Sequence, residues 1–145
     1  MPKDFTNLGD LTKYLSRQIT ESLNDNVAKA AVKTMQEEIE DEVYDAYSPK
    51  VYERKYYQDG LIDEDNIETK MIDAKTLEIQ NVRSDGDKNV AYIVETGEGY
   101  TYDVPKELTD GRPFTQETKR RLKEEGIAKQ AMKDGLHQRG MDARN

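Results

Sequence analysis

The groups available for acid–base chemistry in this 145-residue chain are 30 carboxylates and one histidine. A nucleophile needs a base within hydrogen-bond reach. His137 lies in a terminal helical stretch beside Gln138 and Arg139, and no serine or aspartate constellation can be tied to it, so it reads as a surface histidine. Paired carboxylates can serve as acid and base, but among so many acids no spacing singles out a pair. The densest acidic run is Glu37, Glu38, Glu40, Asp41, Glu42 and Asp45. Most of these lie on the helix face opposite Met35, Ile39 and Val43, and no glycine-containing calcium loop accompanies them, so the run reads as a solvated acidic face. Asp85-Gly86-Asp87 reads as a turn. Thr96-Gly97-Glu98-Gly99-Tyr100 matches neither GxGxxG nor GxxxxGK[ST], and HExxH is absent. With no cysteine there is no thiolate ligand, disulfide or cysteine nucleophile. Neither a catalytic residue nor a metal or cofactor is expected. One aromatic and basic run remains, Val51 to Gly60. Tyrosines interleaved with Arg and Lys could stack nucleic-acid bases. They equally suit a protein interface, and the acidic bulk of the chain favours that reading.

The elements that would carry these residues make an α+β protein of one domain, residues 1–145. Residues 8–46 read as helical. Leu15, Ile19, Leu23, Val27, Ala31, Met35, Ile39, Val43 and Tyr47 form a row at spacing four. Each step drifts by about 40°, so one straight helix cannot bury the whole row against a flat neighbour. Two helices, about 8–24 and 26–46, are expected, broken at Asn24-Asp25-Asn26 where Asp25 or Asn26 caps the second. The other way out is one long helix winding around partners. Ser48-Pro49 ends the helix, and 47–62 is an aromatic linker. The region 63–96 reads as sheet. Asn66–Asp73 and Thr76–Arg83 alternate as a hairpin joined at Ala74-Lys75, and Ala91–Glu95 is a third short strand or a short helix. Residues 97–111 form an exposed loop or arm. The end, 115–140, is helical, with Thr115 as N-cap, a stop near Gly126, a last helix over Ile127–Arg139, and Gly140 as its end.

Charge and hydropathy narrow the role. The charged fraction is 36%, the hydrophobic fraction 34% and mean hydropathy −1.00. That is a thin apolar inventory, though nine tyrosines and clear periodicity argue against disorder. Net charge is −8. Residues 112–145 hold nine Lys or Arg against five Asp or Glu, net +4, which leaves −12 on residues 1–111. An acidic body opposes general phosphate binding and, with a basic tail, allows copies to join by opposite charge. A tail of ordinary solvated Lys and Arg is the plainer reading. No window approaches the length of a membrane span, and the N-terminus lacks an apolar signal core, so synthesis in the cytoplasm is expected.

Motif order carries a family resemblance. Tyr47-Ser48-Pro49, Tyr52, Arg54, Tyr57 and Gly60-Leu61-Ile62-Asp63 come first. Ile93-Val94-Glu95-Thr96-Gly97 follows, then Gly111-Arg112-Pro113-Phe114, and last Ala131 through Gly140. This order resembles the neck and tail-completion proteins of long-tailed bacteriophages and prophages, over about two thirds of the chain. The resemblance implies a virion structural protein at the head–tail junction, made in the bacterial host cytoplasm. It implies a ring of six or twelve copies between portal or adaptor and tail-tube or tail-terminator proteins. DNA passes through as non-specific cargo, and no membrane is involved. Tyr52, Arg54, Tyr56, Tyr57, Tyr100, Tyr102, Arg112 and Phe114 are the candidate subunit contacts. Glu37, Glu38, Glu40, Asp41, Glu42 and Asp45 are the candidate acidic channel face, since like charge would let DNA slide. From a different class, a small acidic phage-encoded regulator of a host protein also suits this composition.

Overall fold

The computed structural model describes residues 7–45, 54, 56–101 and 103–141. It is an α+β fold in which helices dominate and two small antiparallel ladders lie beside them. Asn7 caps the first helix, accepting from the Asp10 amide at 2.8 Å. From there the backbone stays helical from Leu8 to Tyr44. The expected break at Asn24–Asn26 does not occur. Helix α1 (Leu8–Ser22) passes through a π turn (Leu23–Val27) into α2 (Ala28–Glu38), and a second π turn (Ile39–Tyr44) closes the run. The Ala28 amide donates to the Leu23 carbonyl, five residues back. A π turn holds more residues per turn than an α turn, so it rotates later side chains backward against the drift of a spacing-four row. Val27, Ala31, Met35, Ile39 and Val43 are accordingly all buried. Ser48-Pro49, the expected helix stop, lies outside the described residues.

The first π turn is where α6 (Ile127–Gln138) crosses. Arg139 donates to Asn26 Oδ1 at 2.8 Å, and Asn26 donates to Gln138 Oε1 at 3.0 Å. Gly135 sits at the crossing, where a Cβ would meet Ser22 Cβ at 2.9 Å. The absence of a side chain lets the two helices approach this closely. Against the long helix also lies the hairpin of β1 (Ile67–Asp73) and β2 (Thr76–Asn81), joined at Ala74-Lys75 as expected. Ile67 pairs with Asn81 and Met71 with Leu77, and a bulge follows Met71. The turn at 84–89 is itself a short ladder, β3 (Ser84–Asp85) with β4 (Lys88–Asn89).

In three further segments the structure decides between the sequence readings or replaces one. Residues 91–95 take the helical alternative, as part of α3 (Val90–Thr96), and not the third strand. Asn89 accepts from the Tyr92 amide at 3.0 Å, Gly97 ends the helix at φ 77°, and these caps outweigh the β-branched composition. The described residues of 97–111 form a mostly exposed loop and not a free arm. Their ends are stitched together, with the Arg112 amide donating to Val94 O at 2.9 Å, and α4 (Lys106–Thr109) buries Leu108 between them. Helix α5 (Phe114–Glu124) is not capped by Thr115. The Glu95 carboxylate reaches across from α3 and accepts from the Thr115 and Gln116 amides at 2.8 and 3.2 Å. An acid at a helix N-terminus suits both the unpaired amides and the helix dipole. The core is Met35, Ile39, Val43, Tyr44, Leu61, Ile62, Ile67, Ala91, Val94 and Phe114.

Candidate functional site

The end of the long helix, α3, the 97–111 loop and the small β3–β4 ladder line a half-open cavity of about 460 Å³. Val43 and Tyr44 bring the helix end to it, and Leu61, Val90, Ile93 and Val94 add apolar wall. Among the described residues the charged part of the wall is mostly cationic, with Arg54, Arg83, Lys88 and Arg112 against Asp85. That balance is opposite to the −8 of the whole chain.

Each cation is positioned by its neighbours. Arg54 donates to the Tyr44 and Val43 carbonyls at 3.0 and 3.3 Å, where helical carbonyls lack amide partners, and its guanidinium lies 4.8 Å from the Tyr44 ring centre. Arg112 is 5% exposed and bridges the Val43 carbonyl at 3.4 Å and the Tyr100 hydroxyl at 3.1 Å. Lys88 donates to Thr101 Oγ1 at 3.3 Å. Arg83 turns onto the neighbouring Ser84 carbonyl. Burial pushes the Tyr44 hydroxyl above the ordinary tyrosine range, so it stays protonated and accepts from the Ile62 amide at 3.4 Å.

The structure sorts the sequence candidates. Arg54, Tyr100 and Arg112 share this cavity, and Tyr56 packs edge-on against Tyr44 with ring centres 4.8 Å apart. Tyr57 is exposed. Phe114 is 0% exposed, a core residue with no surface for a neighbouring subunit, and Arg112 faces the cavity interior rather than the outer surface. Tyr52 and Tyr102 lie outside the described residues. Arg83 and Lys88 escaped sequence reasoning because they sit in or beside a segment whose composition says turn. Chain reversal at Gly86 is what brings them together.

The acidic run is not uniformly solvated. Arg121 of α5 pairs with Glu37 at 3.0 Å and Glu38 at 3.1 Å. Glu38 is buried and Glu42 half-buried, while Glu40, Asp41 and Asp45 stay exposed. Carboxylate oxygens of Glu38, Glu42 and Glu117 fall within 4.8 Å of one another, while Arg121 pairs with Glu38 and Arg120 pairs with Glu117. Desolvation raises the Glu38 carboxyl above its usual range, against the lowering pull of Arg121. The folded state therefore holds the proton that the unfolded chain releases. Stability from this group is full below the unfolded pKa and is lost as pH rises through the raised folded value. Glu38→Gln is expected to flatten that decline. Urea titrations of both proteins from pH 4 upward check it, and parallel curves would show that Glu38 does not titrate differently on folding.

A protein-family model, YomN, matches residues 7–138. The SPbeta prophage-derived uncharacterized protein YomN of Bacillus subtilis (strain 168) is 31% identical over 136 residues, covering 92% of this chain and 94% of that protein. The chain belongs to the YomN family. No solved structure matches it. The YomN match spans the long helix, the hairpin, the cavity and all of α6. Its prophage relative gives the chain a phage origin, in line with the motif order that runs from Tyr47 to Gly140. Among the described residues, no helix is long and apolar enough to cross a membrane.

Proposed function

We propose that this YomN-family chain is a structural subunit of a bacteriophage head-to-tail connector, a neck or tail-completion ring that joins the portal complex to the tail and leaves a DNA channel. The observation that carries the reading is the exposed apolar start of the long helix among the described residues. Leu8, Leu11 and Leu15 share one face of α1, and Leu8 is 76% and Leu15 36% exposed. A helix from Leu8 to Tyr44 extends about 55 Å at 1.5 Å per residue, and its first turns present an apolar stripe of the kind that marks an association surface. Kinship with a prophage protein supplies the setting. The partners are further copies of the chain, six or twelve to a ring, with portal or adaptor on one side and tail-tube or tail-terminator protein on the other. Its role is joining parts rather than catalysis. With Glu37 and Glu38 held by Arg121, the channel face narrows to Glu40, Asp41 and Asp45.

Quantitative mass spectrometry of purified virions, with cryo-electron microscopy of the junction, tests the reading. A fixed small number of copies per particle and ring density at the head–tail junction are expected. A chain missing from particles and recovered on a host enzyme would instead make it a regulator. The stripe has its own test. Leu8→Glu with Leu15→Glu is expected to change folding stability by less than about 1 kcal/mol, since both sites are exposed, and to abolish self-association in sedimentation velocity. Unchanged assembly would remove the stripe from the interface.

A further inference from the structure

Nothing in a joining role requires a pocket with four cations and an apolar wall. The cavity volume of about 460 Å³ lies within the range of small-molecule sites, which are apolar clefts with a few convergent polar groups. Among the described residues its lining charge is lopsided: Arg54, Arg83, Lys88 and Arg112 against Asp85 leave an excess of +3. An excess of that size favours a dianion over a monoanion, and guanidinium forks match phosphate oxygens in pairs. Two of the forks are already oriented, Arg54 on the Tyr44 and Val43 carbonyls and Arg112 between Val43 and Tyr100, so little side-chain freedom is lost on binding. A bare phosphate would leave most of the space unused. Leu61, Val90, Ile93, Val94 and the Tyr100 ring offer the rest to a flat, apolar body.

We propose that this cavity binds a small phosphate monoester carried on a flat apolar body, of nucleoside-monophosphate size. The phosphate meets the Arg83, Lys88 and Arg112 side, and the body lies against the aliphatic wall and Tyr100. The site belongs to the single chain and stands apart from the connector reading.

Calorimetric titration of the full chain at low salt with adenosine monophosphate, adenosine and inorganic phosphate tests it. The monophosphate is expected to bind one per chain, with adenosine and phosphate each at least tenfold weaker and affinity falling as salt rises. Arg83→Glu and Lys88→Glu change a half-buried and an exposed residue at the small ladder. Each is expected to weaken monophosphate binding at least tenfold without moving the thermal midpoint. Monophosphate binding no tighter than phosphate, or binding unaltered in both variants, overturns the proposal.

Discussion

Gly97→Ala is expected to cost about 3 kcal/mol or more, the steepest loss from adding one methyl group to this chain. Gly97 holds φ at 77°, a conformation that costs a residue with a Cβ about 1–2 kcal/mol. An added Cβ would also stand 2.3 Å from the Thr109 carbonyl oxygen and 2.6 Å from that of Leu108. Those are backbone atoms of α4, so relief requires the whole 97–111 loop to move, at an overpacking cost of about 1–3 kcal/mol. Gly86→Ala separates the two causes. Gly86 has φ 63° but nothing within 4 Å of a Cβ, so it should lose only the conformational part, about 1–2 kcal/mol. Urea midpoints at constant slope read the difference. Equal losses in the two variants would mean that the loop is not packed against α3 as described.

Phe114→Ala carries the second large effect, about 3–5 kcal/mol. The ring is fully buried in the core among residues that include Met35, Ile39, Val43 and Val94. Removing it leaves a void under the α3–α5 junction, where Glu95 caps α5. Against a domain stability of about 5–15 kcal/mol, that is a substantial fraction. Phe114→Leu keeps much of the volume and should cost less than half as much. If Phe114→Ala were nearly neutral in stability yet blocked assembly, the residue would be a subunit contact after all and would not be buried in the isolated chain.

Much of this architecture can be read along the chain. The row from Val27 to Val43 names the core face of the long helix, and five of its positions are buried. The alternation of Ile67, Met71, Leu77 and Ile79 gives the hairpin, and Gly126 and Gly140 mark where α5 and α6 stop. Errors arose where a local signal met a distant partner. Asn24-Asp25-Asn26 looks like a break because all three are poor helix interior residues. Arg139 and Gln138, more than a hundred positions later, bind Asn26 and keep the helix running through a π turn. Thr115 looks like a cap, but Glu95 supplies two acceptor oxygens from another helix and takes that place.

The cavity shows the same division. Its residues are scattered from Val43 to Arg112, with no motif spacing among them. What the sequence by itself determined was an acidic α+β chain without cysteine, its hairpin, the core face of its long helix, and the motif order that resembles phage neck and tail-completion proteins. These follow from residue type and short-range periodicity, which act over one or two turns of chain. Only the tertiary structure decided that the 97–111 segment folds back instead of reaching out, that Phe114 serves the core, that Arg121 neutralises part of the acidic face, and that four cations surround one cavity. Each of these depends on groups brought together across long loops, where the energy of a contact is set by burial and by a partner that no local pattern names.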